Sequence, residues 1–330
     1  MRFSIVIPNR NREDTLHYTL QTCIEQANFD DYEIVVYDNA SDPPAEVRPR
    51  CTLYRGEEPL SMTRSWEAAV GYAKGDYIIV VGSDDGMIPH ALHDIDEVLT
   101  ALHNPPLLRW NRCYYTWANA TQIALPPQLG VLQLVKDGSS RMLDAKKLID
   151  AVARGKMDYT FLPMLYTAAI RRDLLDTMRE RTGSVFHSVC PDIFSGFAFA
   201  SLVDTVPCIN KAMTISGGGN RSTGFHVMAI PYGEISKEFL ALNRQDGLVL
   251  NHRIPEGYYD RLDGGLQGSY YTVYDLGLID WDIADTPEKF TDMPAFDGRR
   301  ANMRATDVYH ASIICGRELQ FEPDLNFVEW

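Results

Sequence analysis

No run of apolar residues in the chain approaches the roughly 18 that a membrane-spanning helix needs. The opening "MRFSIVIPNR" holds too short an apolar stretch for a signal peptide, so any membrane contact is expected to be peripheral. There is no C-x-x-C pair and no zinc-like grouping. The six cysteines (Cys23, Cys51, Cys113, Cys190, Cys208, Cys315) are scattered, which fits reduced thiols, most of them core, in a cytoplasmic protein. Positive charge is in deficit: 31 Lys and Arg against 45 Asp and Glu leave a formal net charge of -14, and polyanions such as nucleic acid find no general attraction. The segment "IVIPNRNRED" has no G-x-G-x-x-G, the glycine pattern that lets a dinucleotide-binding turn approach a pyrophosphate, which disfavours a dehydrogenase. A sugar-nucleotide pyrophosphorylase would also carry a glycine-rich first loop. A receiver-type phosphoacceptor would place acids after the first strand, where Asn and Arg stand.

What is present is an ordinary globular composition, 330 residues with 45% hydrophobic, enough for a sizeable core. The first hundred residues alternate strand-like and helix-like segments, the pattern of an α/β domain with a mostly parallel sheet. "FSIVIP" is a first strand stopped by Pro8. Asn11 with Asp14 reads as a helix cap, followed by Leu16, Leu20, Cys23, Ile24 and Ala27 on one helical face. "YEIVVYD" and "CTLY" are the next strands. Met62, Trp66, Ala69, Val70 and Ala73 repeat at helical spacing until Gly75. "YIIVV" is a fourth strand, Pro89 opens a helix with Leu92, Ile95, Val98, Leu99 and Leu102 inward, and "PPLLRW" returns as a strand.

Further on, a helix is expected over residues 144–154, a strand leading into a helix over "LYTAAIRRDLLDTMRE", and a helix with Pro191 in its first turn over "CPDIFSGFAFASL". The glycine-rich "SGGGNRSTG" at 216–224 reads either as a flexible linker or as a mobile loop whose Arg221 meets a diphosphate. Residues 227–330 give no pattern. Trp66 is expected to be packing, while Trp110 and Trp117 are open.

In an open α/β sheet, ligands bind beyond the carboxyl ends of the strands, and three groups fall there: Pro8 to Arg12, Asp38, and Asp84 with Asp85. Two adjacent aspartates at a strand end repel each other unless water or a cation relieves them. Asp38 alone could be an Asx-turn residue, and the acidic pair alone a solvated helix cap. Together they are harder to dismiss.

The stretch from "SIVIPNRNREDTL" through "YEIVVYDNASD" to "LSMTRSWEAAVGYAKGDYIIVVGSDDGMIP", roughly residues 3–110, resembles the nucleotide-sugar half of the family 2 glycosyltransferases, inverting enzymes of the GT-A fold. The resemblance implies a Rossmann-like mixed sheet flanked by helices: a catalytic domain over 1–225, with 1–110 the nucleotide-sugar half and 111–225 the acceptor half. Residues 226–330 are left as a C-terminal extension for acceptor binding or oligomerisation. It places Pro8, Asn9 and Arg10 against base and ribose, Asp38 on the nucleobase, and Arg12, Asn39, Arg64 and Ser83 among the nucleotide-sugar contacts. Asp84 then lies near the ribose and metal, and Asp85 on a Mn²⁺ or Mg²⁺ ion, with His226 a further metal ligand as in some GT-A enzymes. Ser83 stands where the family's acidic motif has an acid.

The base that an inverting transfer needs is then Asp192, opening an apolar helix, with Asp158 and Asp204 as weaker competitors. The plain alternative is a helix-N-terminal carboxylate held by the macrodipole. The expected reaction moves a sugar from a nucleoside-diphosphate donor, a UDP-sugar foremost, to a hydroxyl of a glycan, surface polysaccharide or lipid-linked carbohydrate. The alternatives are a non-catalytic sugar-nucleotide or glycan-binding module and a nucleotidyltransferase of similar fold.

Overall fold

The computed structural model describes residues 1–121, 129–134, 140–224, 233–255 and 262–281. Three strands built almost entirely of buried residues, β1 (Phe3–Asn9), β2 (Tyr32–Asp38) and β4 (Tyr77–Val80), lie parallel with the half-exposed edge strand β3 (Cys51–Arg55) in the order β3-β2-β1-β4. In β1, Ile5 pairs with Ile34 on one side and Ile79 on the other. Beyond β4 the sheet becomes mixed. Strand β9 (Ala168–Arg171) runs antiparallel between β4 and β6 (Leu107–Thr116), and β10 (Thr205–Gly218) then pairs parallel with β6. Two residues, β5 (Gly86–Met87), close that edge antiparallel to β10, while β7 (Val131–Gln133) and β8 (Arg141–Asp144) add to β6 and β10. The carboxyl ends of β1, β2, β4, β6 and β10 therefore share one edge of the sheet.

Strand side chains alternate between two apolar layers, as a period of two demands. Phe3, Ile5 and Ile7 of β1 with Tyr77 and Ile79 of β4 face helices α1 (Leu16–Ile24) and α3 (Ala91–Ala101). Val6, Ile78 and Val80 face the opposite layer, formed by α2 (Met62–Gly71), α4 (Ala145–Ala153), α5 (Arg172–Thr182) and α6 (Pro191–Ser201). Two later helices, α7 (Glu234–Gln245) and α8 (Leu262–Asp275), follow. Tyr270 of α8 meets Phe197 of α6 edge-on at 5.7 Å between centroids, and both belong to this second layer. The described residues after 232 thus bury their apolar side chains in the same core as α6.

Several local expectations are corrected. Asn11 is not a helix cap: it sits in the left-handed region (φ 52°), Thr15 occupies the cap position, and Asn11 instead accepts the Asp42 N–H at 2.9 Å. Leu102 is 41% exposed because α3 ends at Ala101, one residue before the face would bury it. The stretch at 216–224 is not a free linker at its start, because Ser216, Gly217 and Gly218 continue β10 against Tyr114, Tyr115 and Thr116. The helix expected from Pro89 begins at Ala91, after the two-residue β5 that the sequence pattern passed over. Helices α1 and α2 end at Ile24 and Gly71, short of the Ala27 and Gly75 that the periodicity reaches. Asp144 caps α4 by accepting the Lys147 N–H, and Pro191 takes the first turn of α6, where its missing N–H costs nothing.

Candidate active site

The β1–α1 turn and the β2 end meet on one side of this edge. Asn9 is buried, donates to Asp38 and Ser41, and leaves its Oδ1 without a partner among the described residues. A buried acceptor left open costs about 1–3 kcal/mol, so it marks a place for a donor from ligand or water. Beside it, a cleft of about 400 Å³ is lined by Asn9, Arg12, Glu13, Ser41 and Ala45 among others. Pro8 lies on β1, half-buried, in register with Tyr37.

Asp38 is fully buried, and its oxygens accept from the Ser41 N–H (3.2 Å), the Ala45 N–H (3.1 Å), Asn9 and Arg55. Burial pushes its pKa up, but these hydrogen bonds and the Arg55 charge outweigh burial and hold it below the usual carboxylate value. Asn39 is spent on Leu60, donating to its carbonyl and accepting its N–H, each at 2.8 Å. Arg10 bridges the carbonyls of Asn39 and Ala40 and pairs with Glu238 of α7 at 2.8 Å. Arg64 is exposed in the first turn of α2.

Past β4 the chain turns at Gly82, and the two aspartates fold back over it. A Cβ built on Gly82 would lie 2.7 Å from an Asp85 carboxylate oxygen and 3.3 Å from one of Asp84. Two carboxylates thus converge on one point that only glycine leaves open. Asp85 accepts the Gly217 N–H at 2.7 Å and the Gly82 N–H at 3.1 Å, and burial, followed by the Asp84 charge, pushes its pKa up to about 7. Asp84 accepts from the Ser222 hydroxyl and has Arg12 at 4.0 Å. Two hard carboxylate donors this close, one of them destabilised as an anion by burial and by its neighbour's charge, suit a divalent cation, so the residues fit a Mn²⁺ or Mg²⁺ ion. Ser83 is buried and offers its carbonyl to Thr15. Arg221 donates to the Asn11 carbonyl at 2.6 Å and reaches Glu13 at 3.4 Å, clasping the β10 end onto the β1–α1 turn. His226 lies outside the described residues.

The other side of the edge is set by β6, α6 and the 3-10 turn at Tyr159–Phe161. Asp192 occupies the first turn of α6, and burial raises its pKa, offset in part by the Ile193 N–H and the Arg112 charge. Asp158 is occupied as the cap of the 3-10 turn, accepting from the Thr160 N–H and hydroxyl. Asp204 is exposed and precedes β10, at the opposite edge of the sheet. Of the three acids weighed as base, Asp192 alone is both at the active edge and uncommitted to a cap.

Sequence reasoning missed Arg112. Its charge bears on both Asp85 and Asp192, and it lies against Tyr114 with no carboxylate within ion-pair distance among the described residues. Tyr159 and Tyr166 share that environment, with their hydroxyl pKa values raised first by burial. Their signal, the polar "RWNRCYY" in an otherwise buried strand, was present but had no spacing rule attached. Trp110 and Trp117 are core: Trp110 donates to Thr214, and Trp117 donates to the Asp84 carbonyl at 2.9 Å. Trp66 packs edge-on against Tyr166 and Phe186, as expected.

A mixed sheet of this order, flanked by helices and with paired acids past its fourth strand, defines the class as a GT-A glycosyltransferase fold. Residues 4–104 match the family model for glycosyl transferase family 2. Among solved structures, the chain is similar to TarS 1-349 of S. aureus in complex with UDP-GlcNAc, at 17% identity over 83% of this chain and 73% of that one, with a TM-score of 0.50. It is also similar to the mannosyltransferase PcManGT of Pyrobaculum calidifontis in complex with GDP-Man and Mn²⁺, at 15% identity over 86% of this chain and 77% of that one, TM-score 0.41. An uncharacterised Mycobacterium tuberculosis protein, MT1568, is 31% identical over 99 residues, 28% of this chain; the chain spans 31% of that relative's length.

Proposed function

We propose that the chain is an inverting glycosyltransferase that moves a sugar from a nucleoside-diphosphate donor, a UDP-sugar foremost, to a hydroxyl of a carbohydrate or lipid-linked acceptor. The observation that carries this reading is the convergence of Asp84 and Asp85 over Gly82 at the edge where α6 presents Asp192, in a family 2 domain. A divalent cation held by Asp85 with Asp84 would act as the Lewis acid that neutralises charge developing on the departing diphosphate. Arg12 and Arg221 flank that position and supply local positive charge, which a chain of net charge -14 otherwise lacks. His226 is a further candidate ligand. Asp192 takes the proton of the acceptor hydroxyl as its oxygen bonds the anomeric carbon and the bond to the donor phosphate breaks, the electron pair leaving with the diphosphate. Its raised pKa makes it a better base than an exposed carboxylate. Pro8, Asn9, Arg10, Asn39, Arg64 and Ser83 shape the base and ribose end, where Asn9 offers its open acceptor. Asp38 contacts the base by exchanging its bond with the half-exposed Arg55.

The test is release of nucleoside diphosphate from a panel of nucleotide sugars with and without Mn²⁺. Turnover that depends on metal and is abolished in Asp85→Ala is the expected result. Wild-type turnover in Asp85→Ala overturns the metal assignment, and binding of nucleotide sugar without any turnover supports a binding module instead.

A further inference from the structure

The acidic loop is not held by its carboxylates alone. Along α1 and its flanks, Thr15, Thr19 and Thr22 are spaced four and three residues apart, so their hydroxyls line one face of the helix. They are 3%, 0% and 2% exposed. Thr15 donates to the Ser83 carbonyl at 2.9 Å, Thr19 donates to the Asp85 carbonyl at 2.6 Å, and Thr22 accepts the Met87 N–H at 3.1 Å. Gln26 continues the row by donating to the Ile88 carbonyl and accepting the Leu92 N–H, each at 3.1 Å. The partners of the threonines are residues 83, 85 and 87, which run from the turn at Ser83 and Asp84 into β5. One helix face thus holds the backbone of the acidic turn at three successive points.

We propose that Thr15, Thr19 and Thr22 form a hydroxyl ladder that fixes the backbone of the acidic loop, and that Thr19 is the positioning residue for the Asp85 carboxylate. The inference rests on the reading of Asp84 and Asp85 as metal ligands. Valine has the same shape as threonine and fits a buried helix face, so shape and burial do not call for the hydroxyls. What they do is bind the carbonyls on either side of Asp84 and the amide that follows. With the backbone oxygen of Asp85 held by Thr19 and its side chain held by Gly217 N–H, the residue is fixed at both ends. Loss of the Thr19 hydroxyl leaves a buried carbonyl unpartnered and frees the loop to shift, moving the carboxylates apart.

The experiment measures Mn²⁺ affinity directly, by electron paramagnetic resonance with and without added uridine diphosphate, on wild type, Thr19→Val, Thr19→Ser, Thr15→Val and Asp85→Ala. Thr19→Val is expected to weaken Mn²⁺ binding by about fivefold or more, the equivalent of one net hydrogen bond, and Thr19→Ser to restore it. Hydrogen exchange of the amides at 82–88 should rise in Thr19→Val and return in Thr19→Ser. If Thr19→Val does not fold, Thr15→Val, at the entry of the loop, is expected to show the weakened binding. Folded threonine-to-valine variants with wild-type Mn²⁺ affinity, in a protein whose Asp85→Ala variant loses it, overturn the ladder and leave the metal reading standing. Wild type that binds no Mn²⁺ in either condition overturns the metal reading, and the proposal with it.

Discussion

Asp192 sits in the first turn of α6, where the helix dipole lowers a carboxylate pKa, yet burial raises it above the usual range. The sign of the linkage follows. Between the unfolded value near pH ~3.9 and the raised folded value, the native state holds a proton the unfolded chain has lost, so stability falls as pH rises through that window. At neutral pH the ionised carboxylate therefore costs stability. Asp192→Asn is expected to raise the melting temperature at pH 7, with the gain vanishing below about pH 4, while transfer falls by roughly 10²–10⁴. A melting curve and a transfer assay on the same sample check both; a variant that loses stability at pH 7, or keeps wild-type transfer, removes Asp192 from the role. Asp38 poses the opposite case. Its lone pairs are filled and its pKa held down, so reading a base requires it to release Arg55, which is 40% exposed. Arg55→Ala should then tighten nucleotide binding and Asp38→Ala weaken it by about 1–3 kcal/mol, as read by calorimetry. Equal loss in both variants makes Asp38 a turn residue. Asp38 and Asp85 could be read from the sequence because they follow long apolar runs. Arg112 could not, since nothing in a single strand's pattern says that a lone cation faces acids from two other elements.

At the scale of elements, the parallel half of the sheet was legible because "FSIVIP", "YEIVVYD" and "YIIVV" are continuous apolar runs, as strands buried on both faces must be. Strand β10 was half legible: its 14 residues carry Asn210 and Lys211 at a register shift, which breaks the pattern that "CINKAMTI" begins. Helix α8 was not legible at all. Its "LDGGLQGSYYTVYD" has three glycines, a composition of low helix propensity. Contact explains two of them, since a Cβ on Gly265 would meet the Cys190 sulfur and one on Gly268 would meet Leu250, each at 2.7 Å. The same logic explains the glycines that end β10. A Cβ on Gly217 would fall 1.7 Å from the Asp84 carbonyl oxygen. Gly217→Ala must therefore push β10 and the acidic loop apart, a cost of about 1–3 kcal/mol for overpacking. It should also reduce metal-dependent turnover far more than an equal destabilisation elsewhere. Chemical denaturation and diphosphate release, compared with Gly196→Ala, where the clash is with Leu162 and Met164 instead, separate the two effects.

At the scale of the molecule, the family match ends at residue 104, but the core does not. Leu248, Leu250, Ile254, Leu266, Tyr270 and Val273 lie in the same apolar layer as Ile193, Phe194 and Phe197 of α6. Asp246 accepts the Ser61 N–H at 2.7 Å at the start of α2, and Glu238 pairs with Arg10 at 2.8 Å, so α7 is fastened to the end of β1 as well. No helix among the described residues is long and apolar enough to cross a membrane. An extension that merely hung from residue 226 would leave α6 covered by its own neighbours. Here α8 covers it, with Tyr270 completely buried. We therefore expect residues 233–281 to be required for a stable catalytic fold rather than appended to it. Tyr270→Ala should cost about 3–5 kcal/mol, the range for deleting a large buried ring, and a chain ended at residue 225 should lose its cooperative unfolding transition. Chemical denaturation of the two variants beside the full chain decides the matter: a 1–225 chain that unfolds cooperatively with wild-type midpoint would show that α8 only rests on α6, and that Asp192 is held in place without it.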